Sequence, residues 1–138
     1  MNRTTFQGLC DTFLIEAQTL LDQGKFGGAY YLAGYAIECA LKACISKLTN
    51  QDDFPPGRRF VEDCYSHDLN KLVYRAGLQT DLEAALSSNT DLTSNWGVVK
   101  EWNEVSRYER KAEADTRALL EAITDPTKGV LPWIKTRW

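Results

Sequence analysis

Residues 24–48, GKFGGAYYLAGYAIECALKACISKL, constrain the fold of this 138-residue chain more than any other stretch. Their spacing predicts one long helix that is apolar on two sides. Phe26, Tyr30, Ala33, Ile37, Leu41, Cys44 and Leu48 recur at helical intervals as one stripe. Ala29, Leu32, Ala36, Ala40 and Ala43 form a second. A helix with two apolar faces needs partners on both, which puts it at the centre of a bundle or at a subunit contact. The glycines and alanines along it allow neighbouring helices to approach closely. Glu38 and Lys42 are the charges in its middle, one turn apart, with the acid preceding the base in the order that favours an ion pair.

Those two charges also argue against a membrane span, since each would cost about 2.5–3.5 kcal/mol at mid-bilayer. The N-terminal MNRTTFQGLCDTFLIEAQ has Asp11 and Glu16 where a secretory signal would need an unbroken apolar run, so a cytoplasmic location is expected. Sixteen Lys and Arg against 19 Asp and Glu give a formal net charge of −3, so any attraction to nucleic acid has to be local. The four cysteines, Cys10, Cys39, Cys44 and Cys64, form no CxxC pair and no zinc spacing with the lone histidine. Cys39 and Cys44 would point about 140° apart on the helix and cannot bridge. All four are read as small buried hydrophobes.

The rest of the chain reads as further helices in a single domain over residues 1–138. An amphipathic helix over Thr5–Gln23 stops at Gly24 and makes a tight hairpin with the long one, which ends near Thr49–Asn50. Residues 51–66, with the run Pro55–Pro56–Gly57, are expected to be a loop carrying Arg58 and Arg59. A short helix over Leu69–Ala76, capped by Ser66 or Asp68 and stopped by Gly77, comes next, followed by another over Asp81–Ser88. Ser87–Asp91 reads as a second loop. Trp96, Val98, Val99, Trp102 and Val105 then mark a helix with Arg107 and Tyr108 near its end. A further helix over Lys111–Thr124 has Ala112, Leu119, Leu120 and Ile123 inward, and the tail 127–138 docks as a short final helix. Trp96, Trp102 and Trp133 are expected in the core and Trp138 exposed. The fold class is all-α: an antiparallel up-and-down four-helix bundle with additional short helices.

Four segments in this order resemble the HEPN family of small helical domains: GGAYYLAGYAIECALKA (Gly27–Ala43), HDLNKL (His67–Leu72) with Ala76–Leu78 after it, WNEVSRY (Trp102–Tyr108), and the closing helix ending in VLPWI (Val130–Ile134). The resemblance implies a four-helix core, homodimerisation and a cytoplasmic setting. It also implies a link to RNA cleavage, to toxin–antitoxin pairs with a small nucleotidyltransferase as the antitoxin partner, or to anti-phage defence. Active family members carry Arg, a polar residue, four to six residues and then His on the last core helix. Here Arg107 is followed by Tyr108, and no histidine comes after it; His67 comes first, on another element.

The candidate catalytic pair is therefore His67, as general acid and base, with Arg107 stabilising charge on a phosphate. The structural alternative for His67 is a hydrogen bond to nearby backbone or to Asp68. Arg107 is alternatively an ion-pair partner of Glu104, or of Glu38 across the bundle, because a buried carboxylate needs a partner. Glu38, Lys42, Arg58, Arg59 and Tyr108 complete the candidate ligand-binding set. No metal, cofactor, phosphate-binding loop or catalytic triad is indicated. The expectation is a HEPN-like module, non-catalytic or degenerate, that binds a nucleotide, RNA or a partner protein in a polar cleft; the alternative is a metal-independent ribonuclease toxin.

Overall fold

The computed structural model describes residues 1–49 and 54–138, and every regular element there is helical. In chain order these are α1 (Arg3–Asp22), α2 (Phe26–Lys47), α3 (Arg58–Cys64), α4 (Leu69–Arg75), α5 (Gln79–Ser88), α6 (Thr90–Val99), a 3-10 helix (Glu104–Tyr108), α7 (Glu113–Thr124) and α8 (Val130–Lys135). No helix among the described residues is long and apolar enough to cross a membrane.

Asn2 starts α1 by accepting the Thr5 N–H at 2.9 Å. Gly24, at φ +71°, supplies the left-handed residue that turns the chain straight into α2. The two helices form the expected antiparallel hairpin, with Cys10, Ala17 and Leu21 of α1 buried against α2. Both apolar stripes of α2 are covered by the chain's own elements. Tyr30, Ala33, Ile37, Leu41 and Cys44 are buried on one side and Ala29, Ala36, Ala40 and Ala43 on the other, with α1, α4, α7, α8 and the 3-10 helix packed around them. Each fully buried Leu or Ile contributes about 1.5–3 kcal/mol. The face that argued for a subunit contact is thus filled within one molecule.

The small residues do allow close approach. At Gly34 the indole of Trp102 lies so near that an added Cβ would sit 2.2 Å from its ring carbons. All four cysteines are free thiols. Burial pushes Cys10 and Cys39 up to about 12 and Cys44 up to about 11, which keeps these thiols neutral.

Several sequence expectations need correction. Part of the expected 51–66 loop lies outside the described residues, but Arg58–Cys64 is a helix, α3, that places Phe60 and Cys64 on one side. The expected Ser87–Asp91 loop is a single break at Asn89, whose side chain accepts the Leu92 N–H at 3.0 Å and starts α6 immediately. The one helix expected from Trp96 through Tyr108 is divided. α6 ends at Val99, and Trp102 turns inward to fill the space at Gly34 before the 3-10 helix begins. Val98 and Val105 are consequently exposed. Ala112 caps α7 at the surface instead of facing the core. Trp138 is half-buried against the core, with the Lys135 ammonium 5.0 Å from its ring.

Candidate functional site

The charge in the middle of α2 organises the polar centre of the molecule. Glu38 is 1% exposed, one of the few charged or polar side chains held inside. A buried carboxylate is stable only with donors on its oxygens. Lys42, one turn along, donates from Nζ to Glu38 Oε1 at 2.7 Å. The second donor comes from 29 residues away: His67 Nδ1 lies 2.9 Å from Oε2 and 3.1 Å from Oε1. A carboxylate is acceptor-only, so the contact fixes the tautomer with its proton on Nδ1. Nε2 then has no protein partner among the described residues, and the ring is 42% exposed.

Local structure at the start of α4 aims the imidazole there. Ser66 Oγ accepts the Asp68 N–H at 3.0 Å, and Asp68 Oδ1 accepts the Lys71 N–H at 3.1 Å as the helix cap. Leu69 and Leu72 bury against α2, so the residue before the cap is carried onto the Glu38 face. Tyr35, almost one turn before Glu38, lies against the imidazole with ring centroids 6.5 Å apart. Burial, and secondarily the charge of Glu38, push the Tyr35 phenol up, so it stays a neutral hydroxyl. Tyr31 continues the stack, 5.7 Å from Tyr35 and 6.0 Å from Trp102. The Trp102 indole N–H is buried without an acceptor, so packing on Gly34 and Tyr31 holds that ring in place.

Two hollows flank this centre. The first, about 430 Å³, is polar and includes His67, Asp68, Lys100, Trp102, Asn103 and Glu104 in its lining. The second, about 500 Å³, lies among α1, α2 and α3 and is mostly apolar, with Glu38 and Lys42 in its wall.

Of the seven candidate side chains, Glu38, Lys42 and His67 come together. The other four do not join them. Arg107 pairs with neither Glu38 nor Glu104 among the described residues. It sits on the exposed 3-10 helix with its guanidinium carbon 4.8 Å above the Tyr108 ring. The phenols of Tyr108 and then Tyr31 raise its pKa further above the arginine range. Tyr108 is itself exposed, serving as the platform for Arg107. Arg58 is 92% exposed and pairs along α3 with Glu62 at 2.8 Å. Arg59 is exposed beside it, and neither arginine lines either of these two hollows. The predicted partnership of Glu38 with Arg107 does not form: the 3-10 helix packs on α2 through the buried Ser106, which leaves Arg107 over the exposed Tyr108 ring, whereas the start of α4 brings His67 onto Glu38.

Tyr35, Trp102 and Asn103 were not anticipated as site residues. Tyr35 was readable, lying at i−3 from Glu38 on one helix face; the other two depend on the break after α6. Among the described residues no group of three or more His, Cys, Asp or Glu side chains is placed to hold a metal ion. What the arrangement supplies is an oriented imidazole with a free nitrogen, backed by a buried carboxylate. The hollow before it carries Asp68, Glu101 and Glu104 against Lys100. No family model, no curated protein and no solved structure matches this chain.

Proposed function

We propose that this chain is a HEPN-like binding module that works without catalysis and takes a partner through the polar hollow in front of His67. The observation that carries the reading is convergence. His67 of His67–Leu72 and Trp102–Glu104 of Trp102–Tyr108 line one hollow, and Glu38 of Gly27–Ala43 holds the His67 ring from the other side, so three of the four segments that carry the family resemblance converge on this histidine. Among nucleotide, RNA and partner protein, the charges favour the protein. Three carboxylates line the hollow against one lysine, a balance that repels a phosphate chain and suits a basic or hydroxyl-bearing protein surface. A toxin–antitoxin or defence setting, homodimerisation and a small nucleotidyltransferase partner follow from the resemblance and belong to the same proposal.

The ribonuclease reading has one observation in its favour, the Glu38–His67 pair. A carboxylate that holds Nδ1–H leaves Nε2 free to take a proton from a hydroxyl. Its weakness is the cation. Arg107 does not line the His67 hollow, and Lys100 is the hollow's basic side chain. The test is an RNA cleavage and binding assay on wild type and His67→Ala, with folding checked by circular dichroism. The binding-module reading expects no cleavage and weak, salt-sensitive RNA binding from both. Cleavage by wild type that is lost in folded His67→Ala would replace it with the nuclease.

A further inference from the structure

The cavity among α1, α2 and α3 differs in chemistry from the His67 hollow. We infer that it binds a small amphiphilic carboxylate, an acid of about eight carbons or an arylalkyl acid, with its head on Lys42 and its apolar body between α1 and α3. The volume of about 500 Å³ falls in the range of small-molecule sites. Its walls are chiefly apolar: Phe6 and Leu9 from α1, Ile45 from α2, and Phe60, Val61 and Cys64 from α3. The charged groups in its wall are Glu38 and Lys42, one turn apart on α2.

There the Lys42 ammonium is the charged donor facing the cavity. Glu38 Oε1 takes Lys42 and His67, and Oε2 takes His67. Lys42 carries three N–H donors, and Glu38 is its one partner among the described residues. Its side chain is only 14% exposed, so water gives little competition for the remaining donors. An accepting head is therefore required, and a negative one gains most, because hydrogen bonds between ionised groups are roughly twice as strong as neutral ones. The Lys42 ammonium, 2.7 Å from Glu38 Oε1, offsets the Glu38 charge felt by such a head. A second cation, needed for a polyphosphate, is absent from the described lining. One ammonium in the wall of an apolar chamber matches one carboxylate on an apolar chain.

Cys64 gives this site its own reporter. It lines the cavity and is the partly exposed cysteine, whereas Cys10, Cys39 and Cys44 are buried. The experiment measures alkylation of each cysteine of the full chain by iodoacetamide, read by peptide mass spectrometry, with octanoate or octan-1-ol added in increasing amounts. Octanoate should protect Cys64 with a saturable dependence, at a concentration about tenfold lower than the alcohol requires. In Lys42→Met the acid should lose that advantage. In Ser46→Phe, which puts a bulky ring into the same cavity, both protections should vanish. Equal protection by acid and alcohol in wild type, or no protection by either, would overturn the assignment. So would full octanoate protection in Ser46→Phe with native circular dichroism.

Discussion

Replacing Gly34 by alanine tests whether the break after α6 is imposed by packing. The new methyl would lie 2.2–2.3 Å from three ring carbons of Trp102, which is only 2% exposed and has no free end to swing aside. Overpacking of this kind costs roughly 1–3 kcal/mol when neighbours yield. Expelling the indole altogether would approach the roughly 3–5 kcal/mol of losing a buried Trp. Against this, Gly to Ala inside a helix gains about 1 kcal/mol. The net expectation is a loss of about 2–4 kcal/mol. A 138-residue domain unfolds with an entropy of roughly 0.3 kcal/mol/K, so Tm should fall by about 7–13 °C. Gly8→Ala is the control, because nothing lies within 4 Å of a Cβ at that exposed α1 position. It should be neutral or stabilising by up to about 1 kcal/mol. Thermal unfolding by circular dichroism and the tryptophan emission maximum report the two effects together. A Gly34→Ala protein as stable as wild type, with unshifted emission, would refute the argument that Trp102 seals α2 at this point.

Other consequences are as direct. Glu38→Gln keeps the shape but removes the charge that Lys42 and His67 share; a loss of about 1–3 kcal/mol is expected in urea unfolding, and Glu38→Leu should cost more than Glu38→Gln. Arg75 ties α3 to α4 through Asp63, with Nε to Oδ2 at 2.7 Å, and stacks on Tyr74 and Phe60. Arg75→Ala should raise amide exchange in α3, which has no buried residue, while protection in α2 is unchanged. The Cys10 thiol, pushed up to about 12 by burial, contributes stability that is complete below its unfolded value near 9 and is lost as pH rises from there toward 12. Cys10→Ala should therefore flatten the alkaline fall of Tm while lowering Tm at neutral pH.

The fold was legible wherever a helix carries its own pattern. α1, α2, α4 and α7 repeat apolar side chains every three or four residues, and α1, α4 and α7 stop at Gly24, Gly77 and Asp125–Pro126, so the limits of these three emerged within about two residues. α3 was hidden because it buries nothing completely and follows two prolines that read as the start of a loop. The division between α6 and the 3-10 helix has no proline or glycine at residues 100–108 to announce it. Its cause lies 68 positions earlier, in the missing side chain at Gly34 that receives Trp102.

The candidate site was legible as a requirement and not as a solution. A carboxylate amid two apolar stripes demands a long-range donor, and the sequence reading gives it Arg107, with His67 read as bonding nearby backbone or Asp68. Local propensity points to Arg107, a permanent cation on what reads as a helix facing α2. The outcome is set by two packing events with no local signature. Trp102 seats against Gly34 and the 3-10 helix then packs on α2 through Ser106, leaving Arg107 stacked on Tyr108, and the Leu69–Leu72 face of α4 seats against α2, carrying His67 to 2.9 Å from Glu38. The consequence reaches function. An arginine on Glu38 would have made a closed structural pair; a histidine that offers one nitrogen to the carboxylate keeps its other nitrogen for whatever enters the hollow. Gly34 thereby selects Glu38's partner from a distance, through the ring it admits. A Gly34→Ala variant that refolds should consequently change the binding behaviour of His67 even though it touches neither His67 nor Glu38.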